Sequence, residues 1–216
     1  MNTVLELRQY KIVPGRRDEM IDVFERWFVE SQEAEGMRLV GQFTDRDDPN
    51  RFTWIRGFPN MAARERSLNA FYFGPVWQAH RDEANPLLLD NDNVLLLKPL
   101  TPDLAFAETD RQEPPAPPSP VVVTIFYLWK DPAEGFGRLF AERVAGAGLP
   151  TLGVYVPETS ENTFPRLPVR QHEKVLVWFS RVEDKAWLAI DPDIADAQER
   201  PAQVLRLDPT PRSRLR

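Results

Sequence analysis

The sequence predicts an α+β protein. Two tandem ferredoxin-like βαββαβ repeats follow one another, and their antiparallel sheets pair as a pseudo-dimeric α+β barrel. Three observations predict this. The proline-rich stretch Glu113-Pro-Pro-Ala-Pro-Pro-Ser-Pro120 divides the chain into halves of similar length. Strand-like and helix-like stretches succeed one another in the same order in both halves. Short segments also match between the halves. Leu39-Val-Gly-Gln-Phe43 corresponds to Thr151-Leu-Gly-Val-Tyr155, Val94–Pro99 to Val204–Pro209, and Met20 and Phe24 to Phe136 and Phe140.

In the first half, Val4–Val13 is rich in β-formers and is stopped by Pro14-Gly15. Arg16–Glu35 carries Met20, Val23, Phe24, Trp27 and Phe28 at helical spacing, with Gly36 at the expected C-cap. Met37–Thr44 and Arg51–Phe58 are strands around the turn-rich loop Asp45–Asn50. Asn60 caps a helix through Leu68, a further helical piece covers Pro75–Ala84, and Val94–Lys98 is the closing strand. In the second half, Val121–Trp129 is a strand and Asp131-Pro132 starts a helix bearing Phe136, Leu139, Phe140 and Val144. Strands at Thr151–Val156 and Lys174–Ser180, a short helix near Glu183–Ile190 and a strand at Val204–Leu207 complete the order. The division is therefore a first domain at 1–100, a linker at 101–120 that reads as a semi-rigid spacer, a second domain at 121–210 and a tail at 211–216. The tail's Arg212, Arg214 and Arg216 are expected to fray.

Composition removes several function classes. There is no cysteine, so disulfides, thiolate catalysis and Cys-ligated metals are excluded. A net charge of −6 disfavours nucleic acid, whose phosphates need a basic surface. No apolar run reaches bilayer length, and the opening residues alternate rather than forming a leader, so a cytoplasmic protein without membrane contact is expected. The two histidines, His80 and His172, fall in different halves without companions at ligand spacing, and no metal or other cofactor is expected. Phosphate-cradling glycine loops, dinucleotide fingerprints and nucleophile elbows are absent as well.

Strand alternation places Glu6, Arg8 and Tyr10 on one face of the first strand and Leu5 and Leu7 on the other. Leu5 and Leu7 suit the helix-covered side, which directs Glu6, Arg8 and Tyr10 into the barrel. Phe52, Trp54, Arg56 and Phe58 alternate together toward the same space. An enclosed arginine needs a carboxylate partner or an anion, so Glu6 either satisfies Arg8 or Arg56 or shares them with an anionic ligand. The second half has Val122, Thr124 and Phe126 at the equivalent positions and lacks a counterpart of Ala70–Arg81. A pocket therefore belongs to the first half, with the second sheet as its wall. Within Ala70–Arg81, Trp77 and Arg81 are expected to share a helix face with Phe73. The candidate ligand-binding residues are Glu6, Arg8, Trp54, Arg56, Tyr72 and Trp77. His80 is the candidate proton-transfer residue, and Tyr10 a second catalytic candidate that orients the anionic group.

Glu6-Leu-Arg-Gln-Tyr10 followed by Pro14-Gly15, then Arg51-Phe-Thr-Trp-Ile-Arg-Gly-Phe58 with Arg64 downstream, and Phe73-Gly-Pro-Val-Trp77 together resemble NIPSNAP-family domains. The resemblance is best over the first half. It implies the dimeric α+β barrel superfamily and a pocket location, with no catalytic set to carry over. Three functions follow as expectations. The first is binding of a small hydrophobic or aromatic carbonyl or carboxylate ligand in the N-terminal barrel pocket. The second is a non-catalytic interaction or assembly scaffold with a filled interior. The third is a cofactor-independent monooxygenase or isomerase-like enzyme. Homodimerisation is optional, because the two halves can pair within one chain.

Overall fold

The computed structural model describes residues 2–111, 115–183 and 191–216. The first half runs β1 (Val4–Ile12), α1 (Arg17–Val23), a π-helical turn (Phe24–Phe28), α2 (Val29–Ala34), β2 (Arg38–Asp45) and β3 (Arg51–Phe58). It continues through α3 (Met61–Phe73), α4 (Pro75–Ala84), β4 (Leu88–Asp90) and β5 (Val94–Pro99). The second half comprises β6 (Val121–Leu128), α5 (Phe136–Gly146), β7 (Thr151–Pro157), β8 (Val175–Ser180), α6 (Pro192–Asp196) and β9 (Gln198–Pro209).

The hydrogen-bonded order β3-β2-β9-β6-β8-β7-β5-β1 closes on itself, because β1 also pairs with β3 from Val4↔Phe58 to Lys11↔Arg51. The result is a closed antiparallel barrel, with β4 added at the Lys11–Ile12 end of β1. Two seams join the halves: β2 to β9 through Phe43↔Pro209, and β5 to β7 through Leu97↔Pro157. Among the described residues, closure pairs the long strands of the barrel on both sides.

Leu5, Leu7, Ile55, Leu95 and Leu97 from the first half meet Val123, Ile125, Val177, Phe179 and Leu205 from the second in one buried cluster that contains no helix residue. That cluster fills the barrel. The assignment of the β1 faces is thus corrected: Leu5 and Leu7 point inward, and Tyr10 packs beneath the helices with Met20, Phe24, Phe28, Leu68 and Phe71. Phe52, Trp54 and Phe58 share the face of Tyr10, as their alternation predicts, but it is the helix-covered face. Alternation separates two faces without saying which one a helix will cover. The helices supply the polar partners that Glu6 and Arg56 need, Arg64 and Gln32, whereas the second half offers the barrel interior mainly aliphatic chains.

Several elements differ from their sequence reading. The helix expected over Arg16–Glu35 is interrupted by the π turn. The helix capped by Asn60, whose side chain accepts from Ala63 N–H at 2.8 Å, continues beyond Leu68 to Phe73. Gly74 then separates α3 from α4, so Phe73 does not share a face with Trp77 and Arg81; it is exposed at the end of α3. The helix expected near Glu183–Ile190 lies, after Glu183, outside the described residues, as do Glu113 and Pro114 of the proline-rich stretch.

The C-terminal tail is docked rather than frayed. Arg212 pairs with Glu30 and donates to the Glu25 backbone carbonyl at 3.0 Å, and Arg214 pairs with Glu33 at 3.0 Å. Two glutamates of α2, Glu30 and Glu33, thus hold the arginines whose spacing alone suggested a loose end. Ser213 is buried, accepts from Gln42 N–H at 3.2 Å and donates to the Leu215 carbonyl. Ser213→Ala strips that partner from a buried amide and is expected to cost about 1–3 kcal/mol, read as a lower urea midpoint.

Candidate functional site

Glu6 lies at the centre of a cluster of side chains wholly removed from solvent: Glu6 and Arg8 on β1, Arg56 opposite Glu6 on β3, and Arg64 on α3. Glu6 Oε2 accepts from Arg8 Nη1 at 2.7 Å and from Arg56 Nε at 2.8 Å, while Oε1 accepts from Arg64 Nε at 2.6 Å. Arg56 Nη2 also lies 2.7 Å from Oε2. The pairing expected of Glu6 with Arg8 or Arg56 therefore occurs with both, and with Arg64 too. Burial alone would raise the Glu6 pKa, but the Arg56, Arg8 and Arg64 guanidiniums outweigh it and hold the carboxyl far below the usual carboxylate range.

Neutral acceptors take part of the remaining donor capacity. Arg8 Nε donates to Tyr10 Oη at 3.1 Å, Arg56 Nη1 to Gln32 Oε1 at 2.8 Å and Arg64 Nη1 to Asn162 Oδ1 at 3.0 Å. Arg8 Nη2 and Arg64 Nη2 are buried with no hydrogen-bond partner among the described residues. Three permanently charged guanidiniums thus surround one carboxylate. Burial also raises the Tyr10 phenol pKa, against the pull of Arg8, so the phenol is neutral near neutral pH.

Above this cluster lies a cavity of about 70 Å³ between the outer face of the first sheet and its helices. Tyr10 and Trp54 form its floor, their rings edge-on at 5.6 Å. The Arg8 guanidinium lies 5.3 Å and that of Arg56 5.0 Å from the Trp54 ring, which places the charges against the floor. Met20, Phe24, Phe28 and Gln32 make one wall. In a regular α-helix each step of four residues rotates by about 40°, so such a row would drift off the cavity. The wider turn at Phe24–Phe28 takes up part of that rotation. Phe71, Tyr72 and Trp77 supply the opposite wall, with Tyr72 and Trp77 edge-on at 4.9 Å. Trp54 Nε1 is a buried donor without a partner among the described residues.

The second half contributes a loop rather than the sheet wall expected of it. Residues 158–174, between β7 and β8, cross to the first half. Leu167 lines the cavity, Phe164 stacks on Tyr72 at 5.6 Å, and Asn162 holds Arg64. Nothing in the repeat pattern announces this loop, whose informative residues lie between elements.

Of the residues singled out from the sequence, Tyr10, Trp54, Tyr72 and Trp77 line this cavity, while Glu6, Arg8 and Arg56 lie behind its Tyr10–Trp54 floor. His80 is not among its lining residues: its ring stacks on Trp27 at 3.8 Å, and Nδ1 lies 2.6 Å from Glu83 Oε1. His172 is exposed, in the left-handed region with φ 63°. Sequence reading missed Gln32, Asn162, Phe164 and Leu167 and gave Arg64 no role. The spacing of four shared by Met20, Phe24, Phe28 and Gln32 was the available signal for Gln32.

Fold and site define an α+β protein with a closed antiparallel barrel, carrying a helix-roofed aromatic cavity over a buried arginine cluster on one outer sheet face. Residues 5–102 match the NIPSNAP family model. A provisionally named monooxygenase from Fusobacterium nucleatum subsp. nucleatum ATCC 25586 is similar over 96% of this chain and 92% of its own, at 11% identity and a TM-score of 0.62. A second, from Lactobacillus acidophilus NCFM, is similar over 96% and 93%, at 16% identity and a TM-score of 0.58. A NIPSNAP family protein of unknown function from Agrobacterium tumefaciens str. C58 is 22% identical over 45% of this chain and 88% of its own, with a TM-score of 0.42. At these identities the two full-length likenesses describe the fold alone. Among curated proteins, none matches. No helix among the described residues is long and apolar enough to cross a membrane.

Proposed function

We propose that the protein binds a small aromatic or hydrophobic carboxylate in the cavity between the first sheet and its helices, with the anionic end on the arginine cluster. The observation that carries this reading is the charge imbalance: three fully buried guanidiniums share one carboxylate. An uncompensated buried charge costs several kcal/mol, and arginine does not escape by losing a proton. The unpartnered Nη2 groups of Arg8 and Arg64 give an incoming carboxylate its donors. The aromatic walls suit a flat apolar body.

The reading stops at binding. Glu6 is engaged by three guanidiniums, His80 is not among the cavity's lining residues, and burial keeps the Tyr10 phenol neutral. The proposal invokes no metal or other cofactor. Oxygen chemistry, suggested by the names of the two full-length likenesses, would need a proton acceptor that these groups do not supply. A pure scaffold accounts for the filled barrel and the Glu6 pairs but not for the excess charge. We read the architecture as two ferredoxin-like repeats that supply within one chain the sheet pairing that otherwise needs two. Support comes from the two β2–β9 and β5–β7 seams and the repeated element order. One chain then suffices for the site.

Benzoate is expected to raise the unfolding midpoint, by the equivalent of about 2.7 kcal/mol at a hundred times Kd, while uncharged benzamide has little effect. Equal responses to the two probes, or none to either, would remove the carboxylate from the proposal.

A further inference from the structure

We infer that residues 158–174 are a lid over the cavity and that Asn162 latches it, its amide oxygen holding the place on Arg64 that a ligand carboxylate takes. This rests on the carboxylate-binding reading above and adds its regulation.

A segment of this length without regular structure inside a compact fold is uncommon and tends to be functional. Here it comes from the second half and completes a cavity of the first. It carries no helix or strand, yet Phe164 and Leu167 are buried against the first half's helices. Its hold on the buried cluster is a single side-chain hydrogen bond, Arg64 Nη1 to Asn162 Oδ1. Asn162 is in turn oriented by its own loop. Its Nδ2 donates to the Leu167 carbonyl at 2.9 Å, and its Oδ1 also accepts from Phe164 N–H at 3.1 Å. The same residue thus ties down the backbone of Leu167, which lines the cavity, and of Phe164, which stacks on the cavity residue Tyr72.

The geometry of Arg64 shows what would release it. Glu6 occupies the Nε side of the guanidinium, which leaves the Nη1–Nη2 edge for end-on recognition. Asn162 supplies one neutral oxygen to Nη1, and Nη2 has no partner among the described residues. A carboxylate can engage both nitrogens with two charge-assisted hydrogen bonds, against one neutral bond from the amide. Ligand and latch therefore compete for one edge of one arginine. Arrival of the carboxylate frees Asn162, and with it the hold on Phe164 and Leu167.

The test compares the native protein with Asn162→Ala and Asn162→Asp, using benzoate titration and hydrogen exchange of residues 158–174. Asn162→Ala removes the competitor, so benzoate should bind about tenfold tighter, equivalent to one modest hydrogen bond. The ligand-free loop should exchange faster. Asn162→Asp installs a carboxylate on the same edge, so benzoate should bind at least about tenfold more weakly. In the native protein, saturating benzoate should speed loop exchange. Equal benzoate affinity in all three proteins overturns the latch and leaves the anion site standing. Absence of benzoate binding in all three overturns both.

Discussion

Glu6→Gln is expected to destabilise the fold by about 3–5 kcal/mol, the usual cost of removing one partner from a buried ion pair. The measurement is the urea midpoint at constant m-value. Glutamine has the shape of glutamate, so the cost does not come from a cavity. It arises because three guanidiniums at 2.6–2.8 Å from the carboxylate lose their one negative charge and meet an amide that is half donor. The exposed pair Arg16–Glu19 provides the control. Glu19→Gln should leave the urea midpoint nearly unchanged, because solvent screens that pair. A Glu6 effect no larger than that of Glu19 would refute the account of the cluster.

The same carboxylate sets an acid limit. Its pKa is lowered in the folded state, so over the acid range the unfolded chain binds more protons and stability rises with pH. The contribution of Glu6 is complete above its ordinary value of 4.5 and is lost as pH falls below it toward the folded value. Stability of the native protein should therefore decline below about pH 5. Glu6→Gln should show a shallower decline, because the group responsible is gone.

How much of this was legible follows from what each signal encodes. Strand alternation put Glu6, Arg8 and Tyr10 together, and Trp54 with Arg56, because period two is a local property of the chain. It could not say which face the helices would take, since Leu5 and Leu7 suit either a barrel interior or a helix. The repeat of Leu39–Phe43 in Thr151–Tyr155 exposed the order of elements, but repeats record what two halves share. Residues 158–174 belong to one half alone and stayed silent. Arg212 and Arg214 looked like a loose basic end because their partners, Glu30 and Glu33, lie far away in sequence. The contrast between the halves put the pocket in the first one, and the spacing of four from Met20 to Gln32 marked one of its walls. The π turn at Phe24–Phe28 that keeps this row together is not a feature helical periodicity announces.

Arg8→Met should move stability and binding in opposite directions. Arg8 brings a charge that Glu6 already meets through Arg56 and Arg64, and its Nη2 has no partner among the described residues. Methionine keeps an apolar body beside the Tyr10 and Trp54 rings that the guanidinium now faces at 5.4 and 5.3 Å. Tyr10 loses a donor, a loss of about 1 kcal/mol, but one uncompensated buried charge disappears. The ligand-free variant is expected to gain about 1–3 kcal/mol, in line with replacing buried ions by well-packed apolar groups. Benzoate affinity should fall about a hundredfold, the effect of withdrawing a buried charge from an anion. A chain that kept the cluster for architecture alone would lose stability on this substitution and show no linked change in carboxylate binding. A gain in stability together with loss of benzoate affinity would identify Arg8 as a charge retained against the interest of the fold, for an anion that the folded chain does not itself provide.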